Sequence, residues 1–406
     1  MQYLSQKYND KIIYISLLFV CLSIYLTPLL KGLSITLLLL SIILSYISKS
    51  YNIKENLKFN QFNISFIVFY LLYVIGLFYS FDKKEAYFDL EVKLPILLFP
   101  IISFFIPKKY ITKTYLWYFA LNVILGLILY ILYRFGFGIT RAIKHSLPII
   151  PQISYCNLTN YPSYFALISS ITLILTHKIP LMSLFKIKNK TSYSLKLGAY
   201  SIITIFFLFL NSTSGLLCIT IAYLSIILDM YFIEKNRIGI ILPVIIIISF
   251  YSLVFNLNSF NDRYKYYAKV ELKTQKKDGS QRKFILTNAH KIIIKSSLFG
   301  IGTGDVRVTI NELYKNNGVN FSRYYNAHNQ FLQTDIALGL LGLGYLLYLF
   351  ILPFVKARRQ KEYFILTIII LFGTSFLFES MLEQHMGVYF FSFMYIWFSH
   401  FLESTE

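Results

Sequence analysis

A short polar motif, Asn326-Ala327-His328-Asn329, stands directly before a long apolar stretch at 331–353. Asparagine is a favoured N-cap residue, so we predict a helix that begins near Asn326 and carries His328 in its first turn. The N–H groups of such a turn attract anions, and an imidazole accepts a proton near neutral pH. A polar residue where the chain enters lipid is costly unless it has a function. We therefore predict that His328 is a catalytic residue beside a charged substrate. The alternative is that His328 is an interfacial residue that forms hydrogen bonds with lipid or with the loop.

Three other polar residues accompany the histidine. In a helix that starts near Asn326, positions 328, 331, 332 and 335 share a face. Asp335 would then lie two turns below His328 and could orient a polar network around it. We predict supporting roles for Asn326, Asn329 and Asp335. The alternative for Asp335 is a carboxylate that caps or pairs with another helix.

The hydrophilic segment 257–330 holds many more lysines and arginines than acids. A solvated basic face beside anionic lipid head groups explains part of the lysine content. Arginine differs because its planar fork binds phosphate through two hydrogen bonds. The segment therefore predicts an anionic ligand, with four candidate arginines: Arg263, Arg282, Arg307 and Arg323.

Apolar residues at helical spacing predict a helix over Arg282 to Leu298, and a second short helix is predicted over Asp305 to Tyr314. Between them stands Gly300-Ile301-Gly302-Thr303-Gly304. A dinucleotide-binding loop is excluded because half of its fingerprint and the preceding strand are missing. We predict a tight turn in which backbone approaches the substrate or a neighbouring helix.

Composition indicates an integral membrane protein of all-α class. Of 406 residues, 56% are hydrophobic and 14% are charged, against about 25% charged in a soluble domain. Because about 20 apolar residues cross a bilayer, twelve spans are predicted, at about 12–30, 33–48, 62–80, 94–106, 115–135, 161–177, 197–210, 215–233, 238–256, 331–353, 363–380 and 386–402. The spans 94–106 and 197–210 are short, so they could also be re-entrant.

Lysines and arginines concentrate in alternate short loops, which places both termini in the cytoplasm and segment 257–330 on the outer face. The first span has no small-residue cleavage site and is interpreted as an uncleaved anchor. We predict three regions: spans one to nine at 1–256, an outer catalytic loop at 257–330 and spans ten to twelve at 331–406. The net charge of +20 follows this membrane pattern, so a nucleic-acid partner is excluded.

The remaining histidines are weaker candidates. His290 and His145 have no catalytic partner nearby in sequence. His385 with Glu379 and Glu383 lacks the spacing of a zinc-binding helix, and the two glutamates could instead complement the arginines of the long loop. We predict no metal and no cofactor.

Several of these features together resemble the O-antigen ligase and polymerase superfamily of bacterial envelope glycosyltransferases. They are the twelve spans, the large outer loop after the ninth, the stretch from Lys295 to Asp305, and Ala327-His328-Asn329-Gln330-Phe331-Leu332-Gln333 followed by Gly339 and Gly342. The detailed similarity covers about 280–345. Two positions depart from the family pattern: Thr213 replaces a basic residue, and Ala337 replaces an acid for which Asp335 could substitute.

The resemblance implies an inner-membrane enzyme that takes a glycan from a polyprenyl pyrophosphate, an undecaprenyl type of carrier, and transfers it to a sugar hydroxyl of lipid A core or of a growing glycan. It implies that Arg282 binds the pyrophosphate with help from Arg263, Arg307 or Arg323. It also implies that His328 activates the acceptor hydroxyl. A polymerase, a protein O-oligosaccharyltransferase and, more remotely, a transporter of lipid-linked sugar remain alternatives.

Overall fold

The computed structural model describes residues 2–24, 26–48, 60–106, 119–120, 123–128, 131–132, 162–178, 189–210, 212–256, 281–296, 298–316 and 326–403. Within these ranges the regular structure is helical without a strand, which confirms the predicted all-α class. The helices are α1 (Gln2–Ser23), α2 (Pro28–Ile47), α3 (Gln61–Tyr79), α4 (Lys83–Phe105), α5 (Pro162–Lys178), α6 (Asn189–Leu210), α7 (Thr213–Phe232), α8 (Ile241–Asn256), α9 (Gln281–Ser296), α10 (Val306–Asn316), α11 (Gln330–Arg359), α12 (Tyr363–Phe378) and α13 (His385–Glu403), with a 3₁₀ turn at Met381–Glu383.

The apolar helices confirm a membrane protein. Helices α2, α3, α7 and α11 are each long and apolar enough to cross a bilayer, and shorter apolar segments occur in α6, α8, α9 and α12. The count of twelve spans stays a prediction. Most of the predicted span 115–135 lies outside the described residues.

One predicted span is wrong in its boundaries, and another belongs to a longer helix. The span 12–30 runs across a helix break, since α1 ends at Ser23 and Pro28 starts α2 as its first residue. Proline is favoured there because its missing N–H would be unpaired in any case. The span 94–106 is the second half of the longer helix α4, which begins after Asp82, whose carboxylate accepts a hydrogen bond from the N–H of Glu85.

The chain forms two compact units, and neither is continuous in sequence. The first contains Met1–Tyr115, Arg282–Ile369 and Phe376–Glu406, and the second contains Leu116–Gln281 and Ile370–Ser375. In the first unit α4 packs against α3 and α13, and α11 packs against α3. In the second unit α5 packs against α6 and α7, which both contact α8. The predicted three-part division of the chain stays a prediction.

Aromatic side chains form the core of the first unit. The rings of Phe66 and Tyr395 stack with their centroids 4.0 Å apart, and Phe391 contacts both. Phe350 of α11 stacks on Phe391 at 5.8 Å. Because large flat side chains bury much area and interlock, this core holds α3, α11 and α13 together.

Helix α11 is broken at Gly339, where φ is 65° and ψ is −164°. The glycine turn that follows α9 fills the break. The N–H groups of Ile301 and Gly302 donate to the carbonyls of Ile336 and Ala337 at 2.9 and 3.0 Å. The N–H groups of the glycine turn therefore replace part of the helical hydrogen bonding of α11 at the break. This contact is the predicted close approach of the turn to a neighbouring helix.

Gly339→Ala is expected to destabilise the protein, because a Cβ there would lie 2.3 Å from the carbonyl oxygen of Leu298 in a backbone conformation that only glycine adopts readily. We expect the free energy of unfolding, measured in detergent or nanodiscs, to fall by about 1–3 kcal/mol. The control is Gly344→Ala in the same helix, where a Cβ meets open space. Equal losses in the two variants would contradict this account of the break.

Candidate active site

Four segments of the first unit meet near the ends of their helices. They are the turn 80–82 between α3 and α4, the glycine turn 298–305, the segment 326–329 before α11 and the turn 379–384 before α13. The carboxylate of Asp305 accepts hydrogen bonds from the N–H groups of Phe81 and Asp82 at 2.8 to 3.0 Å. The hydroxyl of Thr303 donates to the carbonyl of Tyr73 at 2.7 Å. The glycine turn is thus fixed to α3, α4 and α11.

His328 lies before α11 and not in its first turn, which corrects the prediction. Its φ of 46° is left-handed and cannot continue into a helix. The side chain of Asn326 accepts a hydrogen bond from the N–H of His328 at 3.0 Å, and Asn329 is the N-cap, accepting from the N–H of Leu332. Both asparagines therefore stabilise the turn that presents the histidine.

Two glutamines on α11 hold the segment 326–329, the histidine turn, against the turn 379–384 before α13. The side-chain oxygen of Gln333 accepts a hydrogen bond from the N–H of Ala327 at 2.9 Å. The side-chain oxygen of Gln330 accepts from the N–H of Leu382 at 2.6 Å. Both glutamines are buried, so their hydrogen bonds persist without competition from water.

The imidazole of His328 contacts the carboxylate of Glu379, with 3.3 Å between Nδ1 and Oε2. The two side chains are 36% and 29% exposed, so substrate can reach them. When Nδ1 carries the proton and donates a hydrogen bond to this carboxylate, Nε2 has no proton and is the nitrogen that can accept one. This pair has the geometry of a histidine base oriented by an acid.

Lys93 lies in α4 with its ammonium group fully buried. It contacts the carboxylate of Asp89 one turn earlier and that of Glu383 at 3.0 Å. Its Nζ also lies 4.7 Å from the centre of the Tyr73 ring. A buried ammonium is tolerated because these partners replace its hydration. The ion pair connects α4 to the turn that carries Glu379.

The arginines predicted to bind phosphate are only partly described. Arg307, in α10, forms an ion pair with Glu85 at 2.6 Å and is 39% exposed. Arg282 is the second residue of α9, and its side chain lies outside the described part of the structure, as do the whole residues Arg263 and Arg323. Their role in binding phosphate remains a prediction.

Asp335 is buried in the second turn of α11. Since His328 precedes the helix, the predicted shared face does not exist. Among the described residues, the acid that contacts His328 is Glu379. Asp335 is therefore left without the predicted link to the histidine, and a supporting role by another route stays a prediction.

A polar cavity of about 70 Å³ opens beside these residues. It is bounded by the N-terminal half of α4, the glycine turn, the start of α10, the histidine turn and the turn before α13. Its lining residues are Glu85, Asp89, Thr303, Gly304, Val306, Arg307, Asn326, Gln333, Glu383 and Gln384. The same two turns carry His328 and Glu379.

The second unit contains a separate ionisable cluster at the ends of α5 and α7. His177, Asp229 and Glu234 are close enough to share a metal ion. However, the ammonium group of Lys178 contacts Asp229, and that of Lys196 donates to the carbonyl of His177 at 2.8 Å. These two cations oppose a bound cation, so we interpret the cluster as a structural ion-pair network.

Sequence reasoning missed three residues of the site, Asp89, Lys93 and Glu85, and it gave Gln333 as part of the histidine motif without a role of its own. Asp89 and Lys93 form an i,i+4 pair of opposite charge in α4, which is the signal that could have drawn attention to them. Glu379 and Glu383 were considered as partners for the arginines of the long loop. The structure pairs Glu383 with Lys93, and Glu379 with His328.

Residues 198–348 match the family model described as O-antigen ligase, a region that includes the glycine turn, α10, His328 and the break in α11. Glu379, Glu383, Asp89 and Lys93 lie outside the matched residues. No curated protein matches the chain. The match confirms the resemblance drawn from the sequence: this region of the chain is similar to the O-antigen ligase family.

Proposed function

We propose that the protein transfers a glycan from a polyprenyl pyrophosphate to a sugar hydroxyl, as a ligase that joins O-antigen or a related polysaccharide to lipid A core. Members of this family are glycosyltransferase-like enzymes, and the family implies lipid-linked glycan substrates. The observation that carries the proposal is the contact between His328 and Glu379 at the entrance to α11, beside a polar cavity.

In the proposed reaction the acceptor hydroxyl oxygen attacks the anomeric carbon of the donor glycan. His328 takes the hydroxyl proton on Nε2, and Glu379 stabilises the imidazolium that forms. The bond between the anomeric carbon and the phosphate oxygen breaks, and polyprenyl pyrophosphate leaves with the electron pair. Because negative charge grows on this leaving group, nearby arginines lower the barrier.

Arg282 is our principal candidate for the pyrophosphate, with Arg263 and Arg323 assisting. Support for Arg282 comes from the resemblance, which assigns the pyrophosphate-binding arginine to this position. Arg282 lies in the first turn of α9, the helix whose last turn leads into the glycine turn. Arg307 is a further candidate whose guanidinium contacts Glu85, so it would have to bind phosphate and this carboxylate together. Arginines in a poorly hydrated cleft could supply this stabilisation without a metal.

The proposal places the enzyme in the inner membrane with both termini in the cytoplasm and the 257–330 loop in the periplasm. Contacts among the predicted outer segments support one common side. The turn after α3, the glycine turn, the histidine turn and the turn before α13 are joined by Asp305, Gln330 and Lys93. A donor presented on the periplasmic leaflet would reach all four.

His328→Ala should lower the rate of transfer from a lipid-linked donor by about 100-fold or more, because the acceptor hydroxyl loses its base. The measurement is transfer to the acceptor in isolated membranes with equal amounts of protein. His290→Ala is the matched control, since His290 is exposed on α9. Near-normal transfer by His328→Ala would exclude the assigned role.

Glu379→Gln should lower kcat about tenfold and leave the KM values of both substrates nearly unchanged, because the amide keeps the shape but not the charge that orients His328. Glu379→Asp should restore part of the rate. Glu91→Gln, an exposed glutamate on α4, serves as the control. A purely structural role predicts instead that Glu379→Gln loses folded protein and leaves the kcat of the remainder intact.

A gel of the lipopolysaccharide from a strain without this protein separates the alternatives. Loss of a ligase should leave core without polymer, because no other step attaches the chain. Core carrying a single repeat would indicate a polymerase. Donor that accumulates on the cytoplasmic leaflet would indicate a transporter, and an unchanged gel with an unglycosylated envelope protein would indicate a protein glycosyltransferase.

A further inference from the structure

We propose that the polar cavity beside His328 binds the hydroxyl groups of an uncharged sugar ring. This inference rests on the proposed function and specifies the class of sugar that the site accepts. The cavity volume of about 70 Å³ has room for several water-sized groups, which suits the hydroxyl-bearing edge of one ring.

The lining has the chemistry that sugar hydroxyls need. Carboxylates accept hydrogen bonds only, whereas amides both donate and accept, so together they match a hydroxyl that does both. Glu85, Asp89 and Glu383 supply three carboxylates, and their side chains remain 26%, 13% and 16% exposed. Gln384 and Asn326 supply amides. Each carboxylate has an ion-pair partner, so the groups are held in place before a ligand arrives.

The charges of the lining disfavour an anionic ligand. Among the lining residues that the structure describes, three carboxylates face one cation, Arg307, which contacts Glu85. Lys93 is not a lining residue, and its ammonium group is fully buried against Asp89 and Glu383. The carboxylate of a uronic acid would therefore meet more negative than positive charge in this lining, whereas a neutral sugar could form hydrogen bonds with the carboxylates and amides without that repulsion.

The cavity is also connected to the base. Asn326, which lines it, accepts the hydrogen bond of the His328 N–H, and Gln333, which also lines it, accepts that of Ala327. A sugar held there lies next to the histidine turn. It belongs either to the acceptor, whose hydroxyl reacts, or to the donor, whose anomeric carbon reacts, and kinetics can distinguish these sources.

The first test uses saturation-transfer NMR on the full-length protein in nanodiscs. The probes are methyl glycosides of glucose, galactose and mannose, with methyl glucuronide as the anionic probe. We expect at least one neutral probe to bind better than the glucuronide, and Gln384→Ala to weaken that binding about three- to tenfold through the lost hydrogen bond. Glu85→Gln should reduce the preference for neutral probes, because Arg307 loses its carboxylate partner. Gln61→Ala, an exposed glutamine on α3, is the control.

The second test measures transfer with the donor and acceptor lipids that accumulate in cells lacking the protein. Gln384→Ala should raise the KM of one substrate about three- to tenfold and change kcat little. A rise for the acceptor assigns the cavity to the acceptor sugar, and a rise for the donor assigns it to the donor sugar.

The outcomes separate the two proposals. The sugar cavity would be overturned, and the proposed function kept, by one combination of results. In it the wild-type protein transfers glycan, while Gln384→Ala and Glu85→Gln change neither KM nor probe binding. Stronger wild-type binding of the glucuronide than of every neutral probe would overturn it as well. Wild-type protein that binds neutral glycosides but transfers no glycan would overturn the proposed function and keep the cavity as a sugar site.

Discussion

The site depends on backbone hydrogen bonds between the glycine turn and the break in α11. The turn can approach because Gly300 and Gly339 carry no Cβ, which would otherwise lie within 2.3 to 2.6 Å of opposing backbone. Once docked, the turn places Asp305 beneath the α3–α4 turn and starts α10, which carries Arg307 toward Glu85. A local break in one apolar helix therefore organises polar groups from three parts of the chain.

Charge at this end of the first unit is balanced by pairing. Lys93 has no exposed side-chain surface, and leaving it unpaired would cost several kcal/mol. Asp89 and Glu383 remove that cost and at the same time join α4 to the turn before α13. Arg307 and Glu85 form a similar pair nearer the solvent. These pairs hold the polar walls rigid, which a binding site needs before its ligand arrives.

The two proposals assign two kinds of chemistry to the candidate site. Arginines of the basic segment 257–330 would bind pyrophosphate, and the carboxylates and amides of the cavity, which Arg307 also lines, would bind hydroxyl groups. His328 and Glu379 lie on turns that border the cavity. In this arrangement different groups would bind the charged leaving group and the neutral acceptor, and both would lie near the same histidine.

The sequence by itself determined the membrane class, helices α9 and α10, the tight glycine turn and the choice of His328, because hydrophobic periodicity, glycine chemistry and a local motif act over short distances along the chain. The predicted start of α11 near Asn326 was wrong. Asn326 and Asn329 are both suitable N-cap residues, and the left-handed backbone of His328 prevents the helix from beginning before Asn329. Only the tertiary structure paired His328 with Glu379 and Lys93 with Glu383. Residues that lie 51 and 290 positions apart meet through helix packing, which no local pattern records.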